Sequence, residues 1–292
     1  MKQIHYGGQA VIEGVMIRGA KHMAVAVRKP SGEITVHSET LPAGLYSSRI
    51  GKLPFVRGLT MLWDTLVLGT RSLMFSAEAA ISEEEVQFGD PILWGTLLFS
   101  LLLGIGLFVV LPMLLVGLVD RFITLPLLSN LAEGLVRLVF FLAYLIAIGR
   151  MPDIRRVFAY HGAEHKTINA YEAGAPLTSQ GIRPFSTAHT RCGTGFLLIV
   201  LVIFVLLTSL LGRPPLVWRL LSRLALVPIV ASLAYEFIKF TAAHYDHAWV
   251  KALAAPGLWL QRLTTREPDD KMVEVAIAAL QRVLAEDGQA TT

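Results

Sequence analysis

His161-Gly-Ala-Glu-His165 sets two imidazoles one helical turn apart with a carboxylate beside them, and His189-Thr-Arg-Cys192 adds a third imidazole and a thiol. Asp153 to Glu172 reads as a helix bounded by Pro152 and Gly174. On it His165 lies about 40° round from His161 and about 6 Å along the axis, so one metal ion fits between them. Glu164 falls about 60° to the far side of His161. His-x-x-Glu-His is the inverted order of the zinc-protease pattern, in which the glutamate accepts a proton from metal-activated water. Cys192 is a soft ligand that favours zinc over harder ions. His161, His165, His189 and Cys192 together make a set of conventional zinc type, with Glu164 as the candidate catalytic base. Closure by all four side chains would mean a structural zinc, and an open position would mean catalysis. The sequence leaves both open.

Three other readings touch this cluster. Cys192 directly precedes an apolar run and could simply begin that helix. Glu172 shares the His161/His165 face but lies about 10 Å beyond His165, so it joins only if the helix bends, or supports a ligand from behind. His244-Tyr-Asp-His247 offers two imidazoles on one helix face, either as further ligands or as a surface pair near lipid headgroups. There is no Ser-His-Asp order and no nucleotide-cofactor fingerprint.

The elements that must position these residues are those of a membrane protein. In 292 residues only 16% are charged, and the mean hydropathy is +0.57. Pro91 to Val119 and Cys192 to Gly212 carry no charge at all. Each exceeds or matches the roughly 20 apolar residues a bilayer span requires. Leu131 to Gly149 holds Glu133 and Arg137 near its start, and Leu216 to Phe237 holds Arg219, Arg223 and Glu236. Charges close to helix ends can reach the interface, so both count as spans, with Arg219, Arg223, Glu236 and Lys239 as anchors. A secondary idea pairs Glu236 with a basic neighbour inside the bundle. The first apolar run begins too far along the chain for a secretory signal.

Nine Lys and Arg precede the first span, six lie in Arg150–Arg191 and six follow from Lys239. The two remaining connections are short and nearly chargeless, so the positive-inside rule places both termini and the central connection in the cytoplasm. A lone cysteine rules out an intrachain disulfide and suits a reducing compartment. Acidic residues offset most of the basic ones. The modest excess in the central connection fits anionic headgroups as readily as RNA, and no specific nucleic-acid site emerges.

The expected fold is an α-helical integral membrane protein with about four transmembrane helices, a small N-terminal β-containing cytoplasmic module and a C-terminal amphipathic helix. Its segments are 1–56, the β-containing module; 57–90, an amphipathic interfacial helix and linker; and 91–149, a first transmembrane hairpin. Then follow 150–192, the connection with the metal site; 193–238, a second hairpin; and 239–292, a C-terminal helical segment. Ala24–Arg28 and Ile34–His37 flank a turn at Pro30–Glu33. Gly7 to Gly19 reads as one strand whose glycines permit close approach, with Glu13 and Arg18 either functional or merely part of that glycine pattern. Arg57, Asp64, Arg71 and Glu78 form one polar stripe on a mostly apolar helix that lies at the interface or packs among the spans. Glu83-Glu-Glu85 is expected to break it. A fifth span there is rejected, because Asp64 and Arg71 would sit deep in hydrocarbon. Thr264-Thr-Arg-Glu267 has capping-box spacing ahead of a helix with Val273, Ile277, Leu280 and Leu284 on one face, packed on the module.

Gly7-Gly-Gln-Ala-Val-Ile-Glu-Gly-Val-Met-Ile-Arg-Gly19, Tyr160-His-Gly-Ala-Glu-His-Lys-Thr-Ile168, His189-Thr-Arg-Cys-Gly-Thr194 and Thr264-Thr-Arg-Glu-Pro-Asp-Asp270 resemble, in order and over nearly the whole chain, the YqhQ-like bacterial membrane proteins (DUF1385). The resemblance implies a metal-dependent enzyme of the bacterial inner membrane, with His161, Glu164, His165, His189 and Cys192 on the family's motif positions. That label rests on the same His and Cys pattern. The family's gene neighbours, translation factors and ribosomal proteins, imply a role near the ribosome or protein insertion. Two functions follow. One is a zinc-dependent hydrolase; the other is a non-enzymatic accessory factor that meets the ribosome, the translocon or another membrane protein, with a structural metal or none. A small transporter is weaker, since no paired broken helices are evident.

Overall fold

The computed structural model describes residues 6–41, 51, 53–80, 90–119, 122, 123, 125–212 and 214–288. Glu83–Glu85, read as a helix break, lies outside the described residues. Four strands come first: β1 (Gly7–Val11), β2 (Gly14–Arg18), β3 (His22–Arg28) and β4 (Ile34–Thr40). They form an antiparallel meander in sequence order. Gly7 to Gly19 is therefore a hairpin and not one strand. Val11 pairs with Gly14, and Glu13 turns the chain at φ 51°. Only Glu13-Gly14 separates the apolar runs Ala10–Ile12 and Val15–Ile17, so apolar patterning alone hid the reversal. The β3–β4 turn falls at the expected Pro30–Glu33, with Gly32 at φ 90°.

Both faces of the sheet are covered, which explains why β3 reads as an unbroken apolar run. Val11, Met16, Met23, Val25 and Val27 pack against Leu68, Phe75 and Ala79 of α1 (Val56–Ala80). Val15, Ile17, Ala24 and Ala26 pack against α5 (Pro152–Glu172) and α10 (Asp270–Glu286). The N-terminal sheet, the central connection and the C-terminal helix thus share one core. Val273, Leu280 and Leu284 of α10 are buried as the periodicity predicts. Its cap differs from the expected one: the Asp269 side chain accepts from the Met272 N–H at 2.8 Å. Thr264 instead ends the preceding helix, because a carboxylate one residue before α10 is better placed than a threonine six residues earlier.

Four helical stretches are long and apolar enough to cross a membrane: Trp94–Val119, Pro126–Ile148, Gly193–Leu210 and Leu216–Ala243. The first comprises most of α2 (Asp90–Ile105), a π turn at Gly106–Val110 and α3 (Leu111–Val119). The others are α4 (Pro126–Ile148), α7 (Gly193–Leu210) and α8 (Leu216–Ala243). Between them lie the short α6 (Ser179–Ile182) and, after α8, α9 (Ala248–Thr264). Large apolar side chains such as Phe99, Leu118, Leu135, Leu206 and Trp218 point outward, the reverse of a water-soluble surface.

The first half of the polar stripe of α1 is tied into the fold, while Arg71 and Glu78 stay exposed. Asp64 accepts from Arg18 at 2.9 Å, Arg57 binds Glu236 of α8, and Arg71 lies 3.6 Å from Glu39. Its opposite face exposes Leu59, Trp63 and Leu66. Arg18 and Glu13 are thereby tied into packing, Glu13 by Arg156 and Tyr160. The expectation that the charges of the two weaker spans reach the interface, Arg223 as an anchor among them, needs correction. Glu133, Arg137 and Arg223 are 1%, 5% and 1% exposed and point into the bundle, because each finds a partner there that apolar lipid would not offer. Glu236 follows the secondary idea by pairing with Arg57.

Candidate metal centre

Pro152 at the first turn and Asp153 beside it favour a helix start, and Gly174 at φ 71° turns the chain after the end of α5. This regular helix carries His161 and His165 on one face, with ring centroids 4.3 Å apart. Their outer nitrogens are held by backbone. His161 Nδ1 lies 2.9 Å from the Thr264 carbonyl oxygen, and His165 Nδ1 lies 2.6 Å from that of Thr187. A carbonyl can only accept, so both Nδ1 atoms carry the proton and both Nε2 lone pairs are free in the neutral rings. Burial pushes the His165 imidazole below its ordinary pKa, which keeps it neutral.

Cys192 stands at the N-cap of α7. Its Sγ is 3.3 Å from His161 Nε2 and 3.0 Å from Thr194 Oγ1, and it accepts from the Thr194 N–H at 3.4 Å. The sulfur thus caps the first turn of α7 while facing His161. Cys192 therefore both begins the helix and joins the cluster; the two readings do not exclude each other. Donor atoms of His161, His165 and Cys192 all lie within 4.8 Å of one another. Ligands around a tetrahedral zinc stand about 3.3–3.6 Å apart, so a small contraction accommodates the ion.

Three devices deliver the backbone around this cluster. A Cβ at Gly162 would stand 2.0 Å from the Arg266 carbonyl oxygen, so glycine alone lets the α9–α10 connection cross α5 and bring Thr264 to His161. Asn169 donates to the Ser186 and Ala188 carbonyls at 2.9 and 3.0 Å, fixing the chain on both sides of Thr187. Gln261 of α9 accepts from the His189 N–H and donates to its carbonyl, both at 2.9 Å. Gln261 and the two carbonyls were not singled out from sequence. A buried amide on an apolar helix face was the only available signal for the first, and backbone acceptors leave none.

His189 lies close by without entering the three-residue group. Its ring centroid is 5.7 Å from that of His165, while its Nε2 is 3.6 Å from Glu172. Glu172 also binds Arg191. Burial alone would raise the Glu172 carboxyl, but His189 and Arg191 outweigh it and hold its pKa at about 2. Glu172, the last residue of α5, stays apart from the cluster as a support for the His189–Cys192 loop. His244 and His247 are exposed beside Phe240 and Trp249 and, among the described residues, belong to no group of three donors.

Glu164 turns away from the sulfur toward β1. It is 4% exposed, and its Oε2 has no hydrogen-bond partner among the described residues. Burial raises its pKa to about 7, against the opposing pull of His161 and a Gly8 backbone hydrogen bond. A Cβ at Gly8 would lie 3.0 Å from the Glu164 carboxyl carbon and 2.4 Å from the Met16 carbonyl oxygen. This is the close approach that the glycine-rich segment suggested.

A family model described as a protein of unknown function, DUF1385, matches residues 53–286. A Bacillus subtilis (strain 168) protein named "Uncharacterized protein YqhQ" is 34% identical over 96% of this chain and 92% of its own length. No solved structure matches.

Proposed function

The chain belongs to the DUF1385 family, and for it we propose a zinc site at the cytoplasmic membrane face that serves a metal-dependent hydrolase. The observation that carries this reading is the paired orientation of two imidazoles. Both Nδ1 atoms donate to backbone carbonyls, which turns both Nε2 lone pairs toward the region of the Cys192 thiol. A core histidine pair needs no such common direction. Bound there, zinc supplies Lewis acidity and lowers the pKa of water in an open position. The chain itself contributes three donors, a fixed tautomer at each histidine, and a carboxylate next in sequence to His165. Glu164 faces Gly8 of β1, so its role as base requires the side chain to turn back toward the cluster. Its Oε2 has no hydrogen-bond partner among the described residues, and a pKa of about 7 suits a base working near neutrality.

A second reading has its own support. His165 and Glu164 are 1% and 4% exposed, which suits a structural zinc closed by His189 in an accessory factor for membrane-protein assembly. Metal content by inductively coupled plasma mass spectrometry, on protein purified without chelator, tests the shared premise. Near-stoichiometric zinc is expected, lost in His161→Ala and in Cys192→Ser. Background metal in the wild type would sink both readings. Complementation then separates them: Glu164→Gln fails to rescue a deletion strain if the site is catalytic, and rescues it if the metal is structural.

A further inference from the structure

On the membrane face opposite the His/Cys cluster, the bundle encloses an ion network that the metal reading does not use. Glu133 and Arg137 on α4 form a pair at 2.8 Å, and Arg137 Nε donates to the Phe108 carbonyl of the π turn at 2.6 Å. Arg223 of α8 donates to Asn130 Oδ1 at 3.2 Å, and its Nε lies 3.6 Å from the same Glu133 oxygen. Asn130 in turn donates to the Thr208 and Gly212 carbonyls at the end of α7. Taken as spans, the helices bury Arg223 about 10 Å and Arg137 about 16 Å from their nearer ends.

The charges in this network do not balance. Among the described residues one carboxylate faces two guanidinium groups, and Arg219 stands one turn before Arg223 on the same face of α8. Arg223 is 1% exposed, yet among the described residues its Nη1 has no hydrogen-bond partner, and neither has Arg219 Nε. A buried cation is retained when it is paired, and one unpaired in an apolar bundle is costly. Guanidinium forks also match the geometry of phosphate oxygens. We propose that Arg219 and Arg223 form a binding site for a phosphate group, open toward the membrane–water boundary at the start of α8 and backed by Asn130 and Glu133. A phospholipid headgroup or a soluble phosphate supplies the same chemistry. The proposal rests on the four helices being spans and is independent of the metal site.

The test uses the full chain in detergent. Native mass spectrometry reads retention of phosphatidylglycerol against neutral diacylglycerol, and calorimetry reads binding of inorganic phosphate. One phosphatidylglycerol per chain is expected, bound at least tenfold more weakly in Arg219→Gln and Arg223→Gln. Removing the competing carboxylate in Glu133→Gln should tighten binding, which a purely structural role would not do. The half-buried Arg219 keeps the test usable if Arg223→Gln fails to fold. Inorganic phosphate binding with the same variant pattern assigns the site to a soluble ligand. Equal retention of diacylglycerol, or binding insensitive to all three variants, overturns the proposal, as does no binding of either phosphate probe.

Discussion

Gly162 and Arg266 are in backbone contact: a methyl group at Gly162 would stand 2.0 Å from the Arg266 carbonyl oxygen. The same crossing lets the Arg266 N–H donate to the Phe158 carbonyl at 2.9 Å and places the Thr264 carbonyl on His161. A glycine between two candidate ligands thus serves the site by what it leaves out. Gly162→Ala must push the connection away, at about 1–3 kcal/mol for a forced overpacking. The expected result is a lower melting temperature together with weaker zinc binding. Unchanged zinc affinity in a destabilised variant would show that the crossing supports the fold but not the metal.

Gln261 should behave differently from its neighbours on α9. Its amide closes a two-bond ring with the His189 backbone, and the side chain is buried. Gln261→Leu leaves a donor and an acceptor unpaired, about 1–3 kcal/mol for each group that stays buried. Loss of zinc at a chelator concentration that the wild type withstands would place the His189–Cys192 loop under its control.

Zinc removal should destabilise the protein by linkage, because an ion bound only by the folded state contributes about 4 kcal/mol at a thousandfold excess over Kd. Adding a strong chelator is therefore expected to lower the melting temperature of the wild type. Cys192→Ser should already sit near the lower value and respond little. A wild type indifferent to chelator would count against a bound ion.

Glu164 gives the metal-free protein a characteristic pH response. Its folded pKa of about 7 lies above the ordinary carboxyl value of about 4.5, so the folded state holds the extra proton between them. Stability should fall as pH rises from about 4.5 to 7, by up to about 3 kcal/mol for a shift of this size. Glu164→Gln keeps the shape without the charge and should flatten that slope. Thermal melts in chelator from pH 5 to 8 measure it, and parallel slopes in the two proteins would refute the burial argument.

Much of this was legible in the sequence, for identifiable reasons. Apolar length gave the four candidate spans, and the i, i+4 spacing of His161 and His165 gave their shared face, because both depend on local periodicity. The Gly7–Gly19 hairpin escaped because its turn is short and its positive φ falls on Glu13, not on a glycine, between two apolar runs that read as one strand. The inward network escaped for another reason. Asn130, Glu133 and Arg137 lie at i, i+3 and i+7, one face of α4, but only packing decides whether such a face meets lipid or protein. Thr187 and Thr264 act through carbonyls, which no side-chain pattern reveals.

Coordination number decides between the two functions, and Cys192 makes it measurable. It is the single thiol of the chain, so a sulfur-to-metal charge-transfer band in cobalt-substituted protein can arise only there. The band should appear in the wild type and vanish in Cys192→Ser. His189 then supplies the contrast, since its Nε2 faces Glu172 and its donors lie outside the three-residue group. If the fourth position is open, His189→Ala should leave the cobalt spectrum nearly unchanged, and added azide should perturb it. If His189 swings from Glu172 to close the site, the same variant should alter the spectrum and azide should not. The first pattern supports the hydrolase. The second removes it, because a position filled by imidazole leaves no place for water or substrate.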